Sequence, residues 1–320
     1  MPPSRDCYRH PPLSETPTPS AADTAATAPA RRLLTRLLPL LGRLPLALLL
    51  PLGALIGEAM WLCRARARTT TEYNLARCLP ALSPPQRAQL ARRRLREFGR
   101  NALAMVHVWF ADAQHLQGLL RRVEGEQLLR QALAAGRGLI VLGPHVGNWE
   151  LAGRYLGRHY DITTMYLPNR NNPELDALVR RVRAQDGATV VPADASGVRA
   201  LLKRLKQGGV IGVLPDQEPK QAGAEFAPFF GTPALTMTLI SNLVQRTGAR
   251  AVTVSALREG NRYRLLFRDV DALLYSADLA ESLDGLNRSV EACARDDLVQ
   301  YQWEYKRFRH QPPGLPRPYK

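Results

Sequence analysis

The chain has 320 residues, 45% hydrophobic and 22% charged, enough for one large α/β domain or two modest ones with a core that needs neither disulfides nor metals. Lys+Arg number 44 against 28 Asp+Glu, a formal charge of +16, and only five of the basic residues are Lys; such an Arg-rich surface seeks phosphate, whether of nucleic acid, anionic lipid or a phosphorylated substrate. Cys7, Cys63, Cys78 and Cys293 show no C-x-x-C pair and no accompanying His cluster, which argues for reduced thiols on the cytosolic side and against a metal site.

Residues 1–30 are rich in Pro, Ala, Ser and Thr without hydrophobic periodicity and read as a disordered tail. Residues 31–68 form a hydrophobic segment whose uncharged core, Leu44 to Gly57, is 14 residues long. A spanning helix needs ~20 apolar residues. Widening the window admits Arg36, Arg43 and Glu58, and Pro39, Pro45 and Pro51 interrupt it. A signal peptide fits poorly, because the segment begins late and Arg64, Arg66 and Arg68 follow it. Two readings stay open: a short or monotopic membrane-anchoring helix with its Arg side chains reaching lipid phosphates, or a buried helical hairpin.

Residues 83–110 read as a helix capped by Ser83, with an Arg-rich face that water or anionic lipid can cover. From about residue 126, strand and helix signals alternate. GLIVLG (138–143) is an apolar run bounded by Gly, hence a buried strand, and a helix follows from about Trp149. Strands are expected at 162–167, 188–191, 210–214, 251–257 and 263–267. Helices are expected at 173–185, 198–206, 235–245 and 279–294. This alternation implies an α/β fold with a mostly parallel central sheet flanked by helices on both faces.

In such sheets ligands collect at the carboxyl ends of the strands. GLIVLG ends there, and Pro144-His145-Val146-Gly147-Asn148-Trp149-Glu150 follows. His145 falls in the turn and Glu150 in the first turn of the next helix, with Asn148 as a reasonable N-cap and a polar candidate for the site. A neutral His needs a partner to fix its tautomer. Glu150, five residues on, is expected to fold back and accept the Nδ1–H bond, leaving Nε2 to take a proton from a hydroxyl. H-x-x-x-x-E matches by chance often, and a lone His at a strand end is more often structural. The strand-to-helix setting is what gives the pair weight.

Several ordered stretches carry a resemblance. They are NLARCLPALSPPQR (74–87), GPHVGNWE (143–150), YLPNRNNPELDALVRRVRAQDG (166–187), VLPDQEPK (213–220), APFFGTPALTMT (227–238) and YQWEYKRFRHQPPG (301–314). Together they resemble the late acyltransferases of lipid A biosynthesis, within the lysophospholipid acyltransferase superfamily. The resemblance implies a glycerol-3-phosphate acyltransferase-like fold, with the acyltransferase domain over 69–320. It implies His145 as general base oriented by Glu150, Arg183 assisting a substrate phosphate or the oxyanion, and Asp216 as a second polar determinant. Arg180 and Arg181 stand as neighbouring alternatives to Arg183. Where many members have Arg after the strand Tyr, this chain has Leu167, and Arg170 is the candidate to supply that charge.

The resemblance further implies transfer of a fatty acyl group from acyl carrier protein, the co-substrate, to a hydroxyl of a phosphorylated lipid A precursor. No metal or redox cofactor is expected. The expected place is the bacterial inner membrane, in contact with anionic lipid, with the catalytic domain on the cytoplasmic side. Two alternatives stay open: another phospholipid, aminolipid or glycolipid acceptor, or a non-enzymatic basic membrane or nucleic-acid binding protein. No helix-turn-helix, zinc finger or aromatic-interleaved basic strand is visible in the sequence, so nucleic acid is not an expected partner.

Overall fold

The computed structural model describes residues 35–169, 171–219, 223–314 and 318–319. The tail expected over 1–30 lies outside them. Seven strands form one sheet: β1 (Leu120–Glu124), β2 (Leu139–Leu142), β3 (Ile162–Tyr166), β4 (Thr189–Pro192), β5 (Val210–Val213), β8 (Arg250–Glu259) and β9 (Arg262–Asp269). Their order is β1-β9-β8-β2-β5-β3-β4. β8, β2, β5, β3 and β4 run parallel, β9 returns antiparallel to β8, and β1 pairs parallel with β9. The expected α/β class with a mostly parallel sheet is therefore the observed one.

β2 sits in the middle and is buried on both faces, as an unbroken apolar run should be. Alternate side chains go to opposite layers. Leu139 and Val141 join a cluster with α6 (Gln127–Ala134) and α7 (Trp149–His159). Ile140 joins another with α9 (Ala195–Lys206) and α10 (Leu239–Thr247), and so does Leu142. α5 (Ala113–Leu119) leads into β1, α8 (Pro173–Ala184) joins β3 to β4, and α11 (Leu279–Asp296) follows the antiparallel pair.

Three local differences from the sequence reading have physical causes. β1 carries Arg121, Arg122 and Glu124 on a half-exposed edge, so it lacks the apolar run that marks a buried strand. Residues 235–237, expected to be helical, belong to a hairpin of β6 (Ala224–Phe229) and β7 (Thr232–Met237). Leu235 is held opposite Phe226 there, and the helix starts at Leu239. Both turn residues, Phe230 and Gly231, have positive φ (49° and 72°), the conformation a two-residue hairpin turn demands. The third difference is at the N-terminus. The apolar segment is two helices, α1 (35–42 as described) and α2 (Leu46–Leu62), broken around Pro45.

Apart from Glu58, which pairs with Arg92, α2 is apolar all round. One face, with Leu46, Leu49, Leu50, Gly53 and Gly57, is buried, while Leu48, Leu52, Leu55 and Ile56 are exposed. Its partner is α4 (Pro84–Phe110), which starts at a complete capping box between Ser83 and Gln86. The two helices touch backbone to backbone. A Cβ on Gly57 would lie 2.0 Å from the Leu95 carbonyl oxygen, and one on Gly99 2.0 Å from that of Gly53. Among the described residues no single helix is long and apolar enough to cross a membrane; α2 and α3 (Arg66–Cys78) would pass only together, and they meet at 81°. The domain boundary expected at 68–69 falls inside α3.

The C-terminal stretch 298–310 has almost no regular structure, so side chains satisfy its backbone. Asn74 Nδ2 donates to the carbonyls of Trp303 (2.7 Å) and Tyr305 (2.8 Å). Buried Arg94 grips Glu304 with two bonds of 2.8 Å, and buried Arg307 donates to Leu235 O at 2.6 Å. Trp303 and Phe308 close a cluster with Leu75, Cys78, Phe229 and Cys293. Burial pushes the Cys78 thiol up to about 12 and that of Cys293 to about 11, so both are inert filling. Cys63, Cys78 and Cys293 are free; Cys7 lies outside the described residues.

Gly57→Val forces α2 off α4. The expected loss is about 1–3 kcal/mol, read as a lower unfolding temperature with earlier proteolytic release of the N-terminal helices. An unchanged melting profile would show that the helices do not pack this closely.

Candidate active site

Parallel pairing of β2 with β5 brings the site together. Leu142 stands opposite Val213, and the Gly143 N–H still donates to Val213 O at 3.0 Å. Three residues past each paired position lie His145 and Asp216. Adjacent parallel strands leave the sheet side by side, so residues 71 apart in sequence meet there.

The turn carrying His145 is pinned from three directions. Gly147 adopts φ +62°, and a Cβ there would lie 2.0 Å from Ala256 O, so only glycine fits against β8. The Asn148 N–H donates to Ala256 O (2.9 Å) and the Gly147 N–H to Gln300 O (3.1 Å). From α4, Asn101 Nδ2 donates to Gly147 O at 2.8 Å. The His145 carbonyl accepts the Gln302 N–H at 3.1 Å.

His145 and Asp216 are 8% and 3% exposed. Nδ1 of His145 is 2.7 Å from Asp216 Oδ1, and the His145 backbone N–H donates to Oδ2 at 2.9 Å. Burial alone would raise the Asp216 carboxyl, but the facing imidazole and the bonds from His145 outweigh it and hold it below the usual carboxylate range. An ionised carboxylate only accepts, so Nδ1 carries a proton, and the tautomer this contact selects has its lone pair on Nε2. Trp149 meets the imidazole edge to face with ring centroids 4.7 Å apart, which fixes its tilt.

The expected bond between Glu150 and Nδ1 is absent. Asp216 takes that place, and the first turn of α7 carries the Glu150 side chain toward the last turn of α8. There Arg183 Nη2 donates to Glu150 Oε1 at 2.5 Å and Nε to Oε2 at 3.3 Å. Of the three candidate arginines, Arg183 is the one that reaches Glu150; Arg180 pairs along its own helix with Asp176. Nη1 of Arg183 makes no hydrogen bond among the described residues, and its side chain is 27% exposed. Asn148 is fully buried, and its Oδ1 accepts the Leu151 N–H at 3.1 Å. It caps the start of α7, as its N-cap reading expects, and its buried Nδ2 has no hydrogen-bond partner among the described residues. Arg170 lies outside the described residues.

Two polar residues went unnoticed in the sequence. Gln217 places its amide nitrogen 3.1 Å from His145 Nε2 and donates to Gln302 Oε1 at 3.0 Å. Gln217 was signalled only by its adjacency to Asp216, and Gln302 lies in a stretch without periodicity. Among the described residues no group of three or more His, Cys, Asp or Glu side chains is arranged to hold a metal ion. The arrangement offers an imidazole oriented through Nδ1 whose Nε2 faces a polar amide, and, between α7 and α8, a guanidinium held by a carboxylate.

Comparison with known proteins adds a family. A family model described as bacterial lipid A biosynthesis acyltransferase matches residues 28–310. The lipid A biosynthesis palmitoleoyltransferase of Escherichia coli (strain K12) is 27% identical over 275 residues, 85% of this chain and 88% of that protein. The lauroyltransferase of the same organism is 26% identical over 280 residues, 87% and 90% of the two chains. Its myristoyltransferase is 24% identical over 275 residues, 84% of each.

The pairing fixes a tautomer that can be observed. Nitrogen-15 NMR of the neutral His145 ring should show Nδ1 protonated, and Asp216→Asn should give a mixture of tautomers while Glu150→Gln leaves the ring unaltered. A reversed dependence would put Glu150 back beside the imidazole.

Proposed function

The chain belongs to the bacterial lipid A biosynthesis acyltransferase family and is an acyltransferase of that pathway, and from this premise we propose that it moves a fatty acyl group from acyl carrier protein to a hydroxyl of a lipid A precursor with His145 as general base. The observation that carries the chemistry is the 2.7 Å contact between His145 Nδ1 and Asp216 Oδ1.

The acceptor oxygen attacks the thioester carbonyl carbon, a C–O bond forms, and the carbonyl π pair moves onto its oxygen. The hydroxyl proton passes to Nε2, and buried Asp216 stabilises the imidazolium. When the tetrahedral centre collapses, the C–S bond breaks and His145 returns the proton to sulfur. In this reading Asp216 orients the base. Glu150 holds Arg183, whose remaining Nη1 edge points its charge toward a phosphate of the acceptor. The formal +16 supports both partners, since acyl carrier protein is acidic and the acceptor carries phosphates.

The family is membrane-associated in bacteria. The exposed leucines of α1 and α2, from Leu37 to Leu62, support a face that beds into the lipid surface, and Leu167, 56% exposed on the loop after β3, adds to it. α2 has 17 residues; at 1.5 Å per residue that is about 25 Å, short of a ~30 Å hydrocarbon core. One of its faces is also committed to α4, which favours a monotopic seat over a span.

His145→Ala should abolish acyl transfer to a lipid A precursor in a purified assay. Asp216→Asn should lower kcat by about 10³-fold or more, with the fold and membrane binding intact. Transfer by His145→Ala near the unaltered rate would remove the mechanism. Separately, Leu48→Asp with Leu55→Asp should shift the protein from the membrane to the soluble fraction. Retention in high-salt-washed membranes would place the contact elsewhere.

A further inference from the structure

His145, Gln217 and Gln302 close a ring of hydrogen bonds. The Gln302 N–H donates to the His145 carbonyl (3.1 Å). The Gln302 side-chain oxygen accepts from Gln217 Nε2 (3.0 Å), and the same Gln217 nitrogen stands 3.1 Å from His145 Nε2. An amide nitrogen has two hydrogens and no lone pair to offer. One hydrogen serves Gln302; the other points at the lone pair that Asp216 leaves on Nε2. The position a reacting hydroxyl must take is therefore filled, in the free protein, by a donor of the same polarity.

We propose that Gln217 is a catalytic residue of this site: its amide closes Nε2 of His145 until the acceptor hydroxyl displaces it, and the freed N–H then donates to the oxyanion of the tetrahedral intermediate. The proposal rests on the acyl-transfer reading above. Two requirements of the chemistry support it. An oxyanion forms on the carbonyl oxygen, bonded to the carbon that the nucleophile attacks, so its donor must sit within a few ångströms of the hydroxyl's place. Gln217 is already there. Once Nε2 takes the proton it becomes a donor itself and no longer accepts an N–H. The step that creates the negative charge is thus the step that forbids Gln217 its former partner. Gln302 keeps the amide tethered meanwhile, through its oxygen and through a backbone anchored to His145 itself. Atoms balance as in the unassisted reaction, since Gln217 gives and takes no proton.

The experiment uses the full chain with acyl thioesters of acyl carrier protein and a phosphorylated lipid A precursor. Gln217→Leu should lower kcat by about 10²–10³-fold without raising KM for the acceptor, because the stopper disappears with the donor. Gln217→Glu keeps the shape without amide hydrogens and should show the same loss of kcat, which decides the matter if the leucine variant folds poorly. Gln217→Asn, whose amide is drawn back by one methylene, should fall between. A kcat within threefold of the unaltered protein in Gln217→Glu, or an effect confined to KM, overturns the proposal. The failures are separable. If the unaltered protein does not turn over these substrates, the acyl-transfer reading fails. If it does, and His145→Ala does not, the Gln217 variants alone judge this inference.

Discussion

The pairing of β2 with β5 governs the site. Four residues on each strand are locked in parallel register, Leu139 to Leu142 against Val210 to Val213. That register delivers two loops from the same edge of the sheet at the same height. Slip it by one residue and every side chain on one strand turns to the other face. The imidazole and the carboxylate would then part. The apolar burial of both strands on both faces makes such a slip costly. The same packing that builds the core therefore sets the 2.7 Å contact on which the proposed proton transfer depends.

The architecture was legible because its signals are local. Short apolar runs marked β2 and β5, and Ser83 as a cap marked the start of α4; the Gln86 half of the capping box appears only in the structure. His145 was legible as the residue leaving a buried strand. Its partner was not. Glu150 is near in sequence, and nearness suggested contact, but five residues across a strand-to-helix turn carry a side chain onto a helix that faces another helix. Asp216 is far in sequence and near in space, and only the strand order reveals that. A reading that had placed strand 210–214 beside strand 138–143 would have found it. The β6–β7 hairpin and Gln302 were hidden for a related reason: their conformations are imposed by partners elsewhere in the chain, not by their own periodicity.

α4 links the two ends of the proposed function. Gly99 meets the backbone of α2, and two residues further on Asn101 holds Gly147 in the turn that carries His145. A face proposed to rest on lipid and a turn proposed to do chemistry thus share one rigid rod. The height of the site above the bilayer would be set by that helix, not by a flexible linker.

The C-terminal segment has a consequence for the order of events during synthesis. β2, β5 and the turn between His145 and Glu150 leave the ribosome well before residues 300–308, and a domain folds as a unit once enough of it has emerged. Until the last stretch arrives, the His145 carbonyl lacks the Gln302 N–H, Gln217 lacks its tether, Arg94 lacks Glu304, and the Leu235 carbonyl lacks Arg307. A chain without those residues therefore lacks the contacts that clamp the His145 turn and Gln217. On the proposed mechanism, competence would come only as the final residues lock in, so that an unfinished chain touching a membrane would not yet be an enzyme.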